Sequence, residues 1–159
     1  MKVFSISNID SNGRFTRHVV NLSHSGNDTE RKDIVQFTQN GAQSIVMGTG
    51  VGQFMSASGS FRFHCTKNKS LKSVVVVTDL EYPSSVAQLV MEIMMTTSNE
   101  TIIDWSSLEN ETSINKVFKI QDKIEFLEGV RSDALATLLC APHQKNNPTG
   151  VESERCAVI

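Results

Sequence analysis

Cys156-Ala-Val-Ile159 is the stretch whose residue types and spacing point most directly to a defined chemistry. A cysteine followed by two aliphatic residues and one last residue is the pattern on which a transferase builds an isoprenoid thioether. Ile159 is not among the commonest terminal residues of that pattern, so farnesyl and geranylgeranyl both stay open. One isoprenoid gives only marginal, reversible membrane binding, and a second signal is normally needed. Lys145 and Arg155 are offset by Glu152 and Glu154, so no polybasic patch supplies that signal. Cys140, well upstream of Cys156, is a weaker candidate for a palmitate, and it could equally be a small apolar residue ending a helix.

Other chemical patterns carry less. Gly48-Thr-Gly-Val-Gly52 invites a nucleotide-loop reading, but a dinucleotide fingerprint is G-x-G-x-x-G and a phosphate loop ends in Lys-Ser/Thr. Here the glycines follow a helical stretch and precede a strand, so they read as a flexible turn. His64-Cys65 has no second His or Cys cluster at ligand spacing, and His18, His24 and His143 stand alone. The carboxylates show no pairing in an apolar setting. No enzyme chemistry, metal or cofactor is expected. Fifteen basic against 17 acidic residues, a formal charge of −2, excludes a strongly basic nucleic-acid binder. Three cysteines are too few for a disulfide framework, and no apolar run approaches the ~20 residues that span a bilayer. The chain therefore reads as soluble and intracellular, with 159 residues enough for one domain and a short appendage.

The elements that must position these residues follow from periodicity. Lys2 to Asn8 alternates, with Val3, Ser5 and Ser7 on one face and Phe4 and Ile6 on the other. Asp10-Ser-Asn-Gly13 is a turn, and Arg14 to Leu22 a second strand, so the chain opens on a hairpin. Thr29 is the expected cap of a helix that buries Ile34, Phe37, Gly41, Ile45 and Val46 and stops near Met47-Gly48. Strands are expected at Phe54–Ala57, Phe61–Cys65 and Ser73–Thr78, the last apolar on both faces and so covered on both sides. Pro83 opens a second helix that runs to Thr96, and Asn99 to Thr112 reads as a polar connector holding Trp105. Ile114 to Leu139 is an amphipathic helix, readable as a coiled-coil partner or as a third helix on the sheet. From Ala141 onward no packed structure is expected.

This arrangement resembles the longin domain, and specifically the prenylated longin-type R-SNAREs, synaptobrevin homologues anchored by lipid. The matching stretches are Met1-Lys-Val-Phe-Ser-Ile-Ser, Glu30-Arg31 through Ile45-Val46, and Ser73-Val-Val-Val-Val-Thr-Asp79 with Glu81-Tyr82-Pro83. Ile103-Asp104-Trp105 and the C-terminal Cys156-Ala-Val-Ile159 complete them. The junction Asp79, Glu81, Tyr82, Pro83 is the specific signature. The resemblance implies an α+β, profilin-like longin fold: a five-stranded antiparallel sheet between helices, followed by a C-terminal amphipathic helix. It divides the chain into a longin domain at 1–106, a shortened SNARE-like helix at 112–140 and a flexible tail at 141–159. On the family's register the central ionic-layer arginine falls at Ile120, and Val117, Ile120, Ile124 and Leu127 form the partner or core face. The family's second cysteine, directly before the prenylated one, is Arg155 here.

The function so implied is vesicle-mediated transport and membrane fusion, with reversible membrane attachment restrained by the longin domain. The partners would be Q-SNARE helices or other trafficking proteins, the membrane through the isoprenoid on Cys156, and the chain's own helix and lipid. Those last two would share an apolar groove beside the first helix and its neighbouring edge strand. The setting would be the cytoplasm, cycling to the cytosolic face of Golgi, endosomal or vesicle membranes. The alternative is a longin-only adaptor, or a platform regulating small GTPases, that does not pair with SNAREs.

Overall fold

The computed structural model describes residues 1–96, 102–112, 140–141 and 156–158. Five antiparallel strands form the sheet: β1 (Val3–Ile9), β2 (Phe15–Asn21), β3 (Gly52–Ser58), β4 (Phe61–Lys67) and β5 (Ser73–Asp79). Their spatial order is β3-β4-β5-β1-β2. Helix α1 (Asp28–Met47), about 30 Å long at 1.5 Å per residue, carries the chain from the β2 edge to the β3 edge. It covers one face of the sheet, and α2 (Ser84–Met94) covers the other. The protein is α+β.

The opening hairpin turns through Asp10–Gly13. Asp10 Oδ1 accepts from the Asn12 and Arg14 amides at 2.9 Å, and Gly13 takes a φ of +78°, a region glycine enters without a steric penalty. β5, with four consecutive valines, is the middle strand of the five, and Val74 to Val77 are fully buried. Valines on both faces suit a strand roofed on both sides.

β1 departs from simple alternation. Its register against β5 shifts between Val3 and Ser5. One extra residue reverses the facing of everything before it. Val3 therefore joins Ile6 in the core beneath α2, while Phe4 stacks edge-on against Phe61, 4.8 Å between centroids.

Helix α1 is capped two residues earlier than expected. Asn27, not Thr29, accepts from the Glu30 amide at 2.9 Å, and Gly48 closes the other end. Its fully buried stripe is Thr38, Ala42, Val46. The bulkier row Phe37, Gly41, Ile45, expected inside, lies one step round the helix and is only partly covered.

Residues 102–108 also differ from expectation. They are packed rather than a polar connector: β6 (Ile102–Ile103) is followed by the single turn α3 (Trp105–Leu108), capped by Asp104. Trp105 and Leu108 are buried among Tyr82, Val90 and Met94. Two short stretches near the C-terminus are paired. β7 (Cys140–Ala141) lies antiparallel to β6, and β8 (Cys156–Val158) adds a sixth strand outside β2. The amphipathic stretch 114–139 lies outside the described residues.

Candidate functional site

Because the Phe37-Gly41-Ile45 row faces past the edge of the sheet, a groove opens along the seam between α1 and β3. It encloses about 440 Å³, inside the range of about 300–1,000 Å³ usual for small-molecule pockets. Its floor is the ring of Phe63 on β4; Phe37 and Ile45 form one wall, and Ser56 and Ser58 of β3 the other. Asn40 and Ser44 supply polar groups at the rim. The Phe37 ring lies 5.7 Å from that of Phe63 in the floor and 4.8 Å from that of Phe61 outside the groove. Phe37 is 37% exposed, a large amount for a phenylalanine on the packed side of a helix. The slot is uncharged, with Phe37, Ile45 and Phe63 facing the serines of β3, so it suits a neutral chain with an apolar side and not an ionic substrate.

Gly41 makes this close approach possible. A Cβ there would fall inside van der Waals contact with Cε1 and Cζ of Phe63. Gly41→Ala should therefore destabilise the protein by up to about 2 kcal/mol in a urea titration. Overpacking costs about 1–3 kcal/mol, and better helix propensity returns only about 1 kcal/mol. A gain in stability would show that the ring moves freely and that the groove is not built on this contact.

The signature Asp79, Glu81, Tyr82, Pro83 is a structural lock. Tyr82 is buried and its hydroxyl donates to the Leu108 carbonyl at 2.8 Å, tying the β5–α2 junction to α3. Burial, reinforced by the nearby Glu109 and Asp79 charges, raises its pKa, so the phenol stays a donor. Pro83 precedes α2 as its N-cap residue, the Asp79 carboxylate lies 3.2 Å from the Met1 ammonium, and Glu81 is exposed. Glu109 closes the same end of the molecule. It accepts from the Val3 amide at 2.9 Å and pairs with His24 at 2.5 Å. Neither Glu109 nor His24 was singled out by spacing, because residues 85 apart meet only through the fold.

His64 and Cys65 point to opposite faces, and both are buried because both faces are roofed. His64 Nε2 lies 2.9 Å from Thr78 Oγ1, and burial, helped by the Arg62 charge, brings its pKa down to about 4. Burial raises the Cys65 thiol above its ordinary value, the reverse of what a nucleophile needs. His18 sits between Ser7 Oγ at 2.5 Å and Thr38 Oγ1 at 3.2 Å, beneath α1. Burial takes it to about 4, against a smaller upward pull from the Val35 backbone. Both histidines are neutral hydrogen-bonding core residues. Among the described residues no group of three or more His, Cys, Asp or Glu is placed to hold a metal. The Gly48–Gly52 stretch is the turn between α1 and β3.

Of the residues tied to lipid, Cys140 stands opposite Ile103 and Cys156 opposite Asn21. Val117, Ile120, Ile124 and Leu127 lie outside the described residues. No helix among the described residues is long and apolar enough to cross a membrane. In comparison with known proteins, no family model matches the chain and no curated protein matches it.

Proposed function

We propose that the chain is a lipid-anchored, longin/SNARE-like protein of vesicle-mediated transport and membrane fusion. An isoprenoid on Cys156 would attach it reversibly to the cytosolic face of Golgi, endosomal or vesicle membranes. Its α+β sheet, flanked by α1 on one face and α2 on the other, supports a longin (profilin-like) architecture for residues 1–106. The observation that carries the reading is the uncharged groove along α1 and β3, open to the outside and floored by Phe63. An isoprenoid seated there leaves water as it would in a bilayer. Each buried CH₂ contributes about 0.8 kcal/mol in either place, so the groove and the membrane compete closely. That competition is what makes attachment reversible. The stretch 114–139, whose spacing puts Val117, Ile120, Ile124 and Leu127 on one face if it is helical, would be the segment offered to Q-SNARE helices.

Cell fractionation of wild type against Cys156→Ser tests the anchor. Wild type should divide between cytosol and membranes, and the serine variant should shift almost wholly to cytosol. Identical partition of the two would leave the lipid without a role. A longin-only adaptor is the second reading, favoured by β3, an outer strand without charged residues whose positions 55–58 are all exposed. Mixing with Q-SNARE helices separates the two readings: a gain in helicity supports pairing, and none supports the adaptor.

A further inference from the structure

The two outer strands of the five-stranded core are treated differently. β3 is largely exposed, whereas Arg17 to Asn21 of β2 are buried, and the backbone beside them is paired. The partner is β8, antiparallel, with Val158 opposite Val19, Ala157 opposite Val20 and Cys156 opposite Asn21. Ala157 and Val158 are uncharged, and β-branched Val158 suits an extended strand. A short apolar segment adding itself to an open edge is the usual mode of strand addition.

We propose that the β2 edge is a strand-addition site whose occupant is Cys156–Val158, and that this pairing withholds Cys156 from lipid transfer until the strand is drawn off. The inference rests on the prenylation reading above. In the transfer, the cysteine sulfur attacks C1 of an allylic isoprenyl diphosphate. The S–C bond forms, the C–O bond breaks, diphosphate leaves with the electron pair, and the thiol proton passes to solvent. A transferase must grip the residues around the cysteine in extended form, and in this structure β2 already does so. The geometry also sets capture against lipid seating. β8 lies four to five strand spacings from β4 and β3, about 19–24 Å, on the far side of the sheet from the groove. That is beyond an extended farnesyl chain and at the limit of a geranylgeranyl one. A farnesyl chain in the groove requires β8 to have left β2, and a geranylgeranyl chain would reach only the near end of the groove while β8 stays paired.

The test uses the full chain, its Ala157→Pro variant and a free peptide of residues 145–159. Proline removes one amide donor and disfavours pairing. By hydrogen exchange, amides within residues 17–21 should exchange about tenfold faster in the variant, the factor for one or two net backbone hydrogen bonds. Those within 73–79 should not change. With farnesyl or geranylgeranyl diphosphate and the matching transferase, the peptide should be modified about tenfold faster than the full chain. Unchanged exchange at 17–21, or equal rates for chain and peptide, overturns the proposal. If neither chain nor peptide is modified, the prenylation reading fails and the gate falls with it. The exchange comparison still judges the strand pairing itself.

Discussion

Trp105→Ala lowers the free energy of unfolding by about 3–5 kcal/mol, the range for removing a buried indole. Trp105 is 4% exposed and packs in the cluster formed by Tyr82, Val90, Met94 and Leu108. The helix that carries it is one turn long, too short to hold itself together without tertiary contacts. Losing the indole therefore loosens the whole 102–109 segment, including Glu109 and its grip on the Val3 amide. A domain with an ordinary stability of about 5–15 kcal/mol would be left marginal. Trp105 is the sole tryptophan, so the urea transition has to be followed by far-ultraviolet circular dichroism. A loss under about 1 kcal/mol would mean that 102–108 does not belong to the core.

Mild acid should weaken the fold steeply, through His18 and His64. In the native state both titrate at about 4, whereas in the unfolded chain each titrates near 6.5. Between those values the unfolded chain binds protons that the native one refuses, so stability rises with pH across the window and falls as pH drops through it. Above about 6.5 both states hold neutral histidines and no penalty applies. Each group contributes a slope of up to about 1.4 kcal/mol per pH unit, and the two together up to about 2.7. Urea midpoints at pH 7 and pH 5 should therefore differ markedly, and His18→Gln should flatten the dependence by about half. The interval stops at pH 5 because carboxylates begin to protonate below it. A midpoint that stays constant from pH 7 to 5 in the wild type would mean that the imidazoles accept protons in place.

Local patterns disclosed the local structure. Alternation and turn chemistry placed the hairpin, four consecutive valines marked the doubly roofed strand, and three-to-four spacing found α1 and α2. Apart from the α1 cap, a local choice between Asn27 and Thr29, the differences share one physical origin, namely pairings between residues distant in sequence. The shift in β1 that turns Val3 and Phe4 over is set by β5, some seventy residues later. The apolar row Phe37-Gly41-Ile45 looks the same whether a sheet covers all of it or stops short; where β3 ends decides that a groove remains. Asn99 to Thr112 reads as polar because its serines, threonines, asparagines and acids outnumber Ile102, Ile103, Trp105 and Leu108, and only the tertiary cluster shows that the last three of these are anchors. Cys156–Val158 is too short to carry any period, and only the vacant edge of β2 gives it a place. Of the candidate site, the cysteine and the phenylalanine row were visible in the sequence. The serines of β3 and the burial at β2 were not.

The central place of β5 has a consequence for how the chain is made. Two hairpins, β1–β2 and β3–β4, emerge from the ribosome before residues 73–79 exist, and neither touches the other through its backbone. Only when β5 arrives does one strand bond β1 on one flank and β4 on the other. Nascent chains halted short of that strand would display two unjoined ribbons with their apolar faces bare, a natural target for a chaperone. Closure across so long a separation is slow relative to helix formation. Synthesis itself thus has a point of no return, the moment that the valine ribbon clears the exit tunnel.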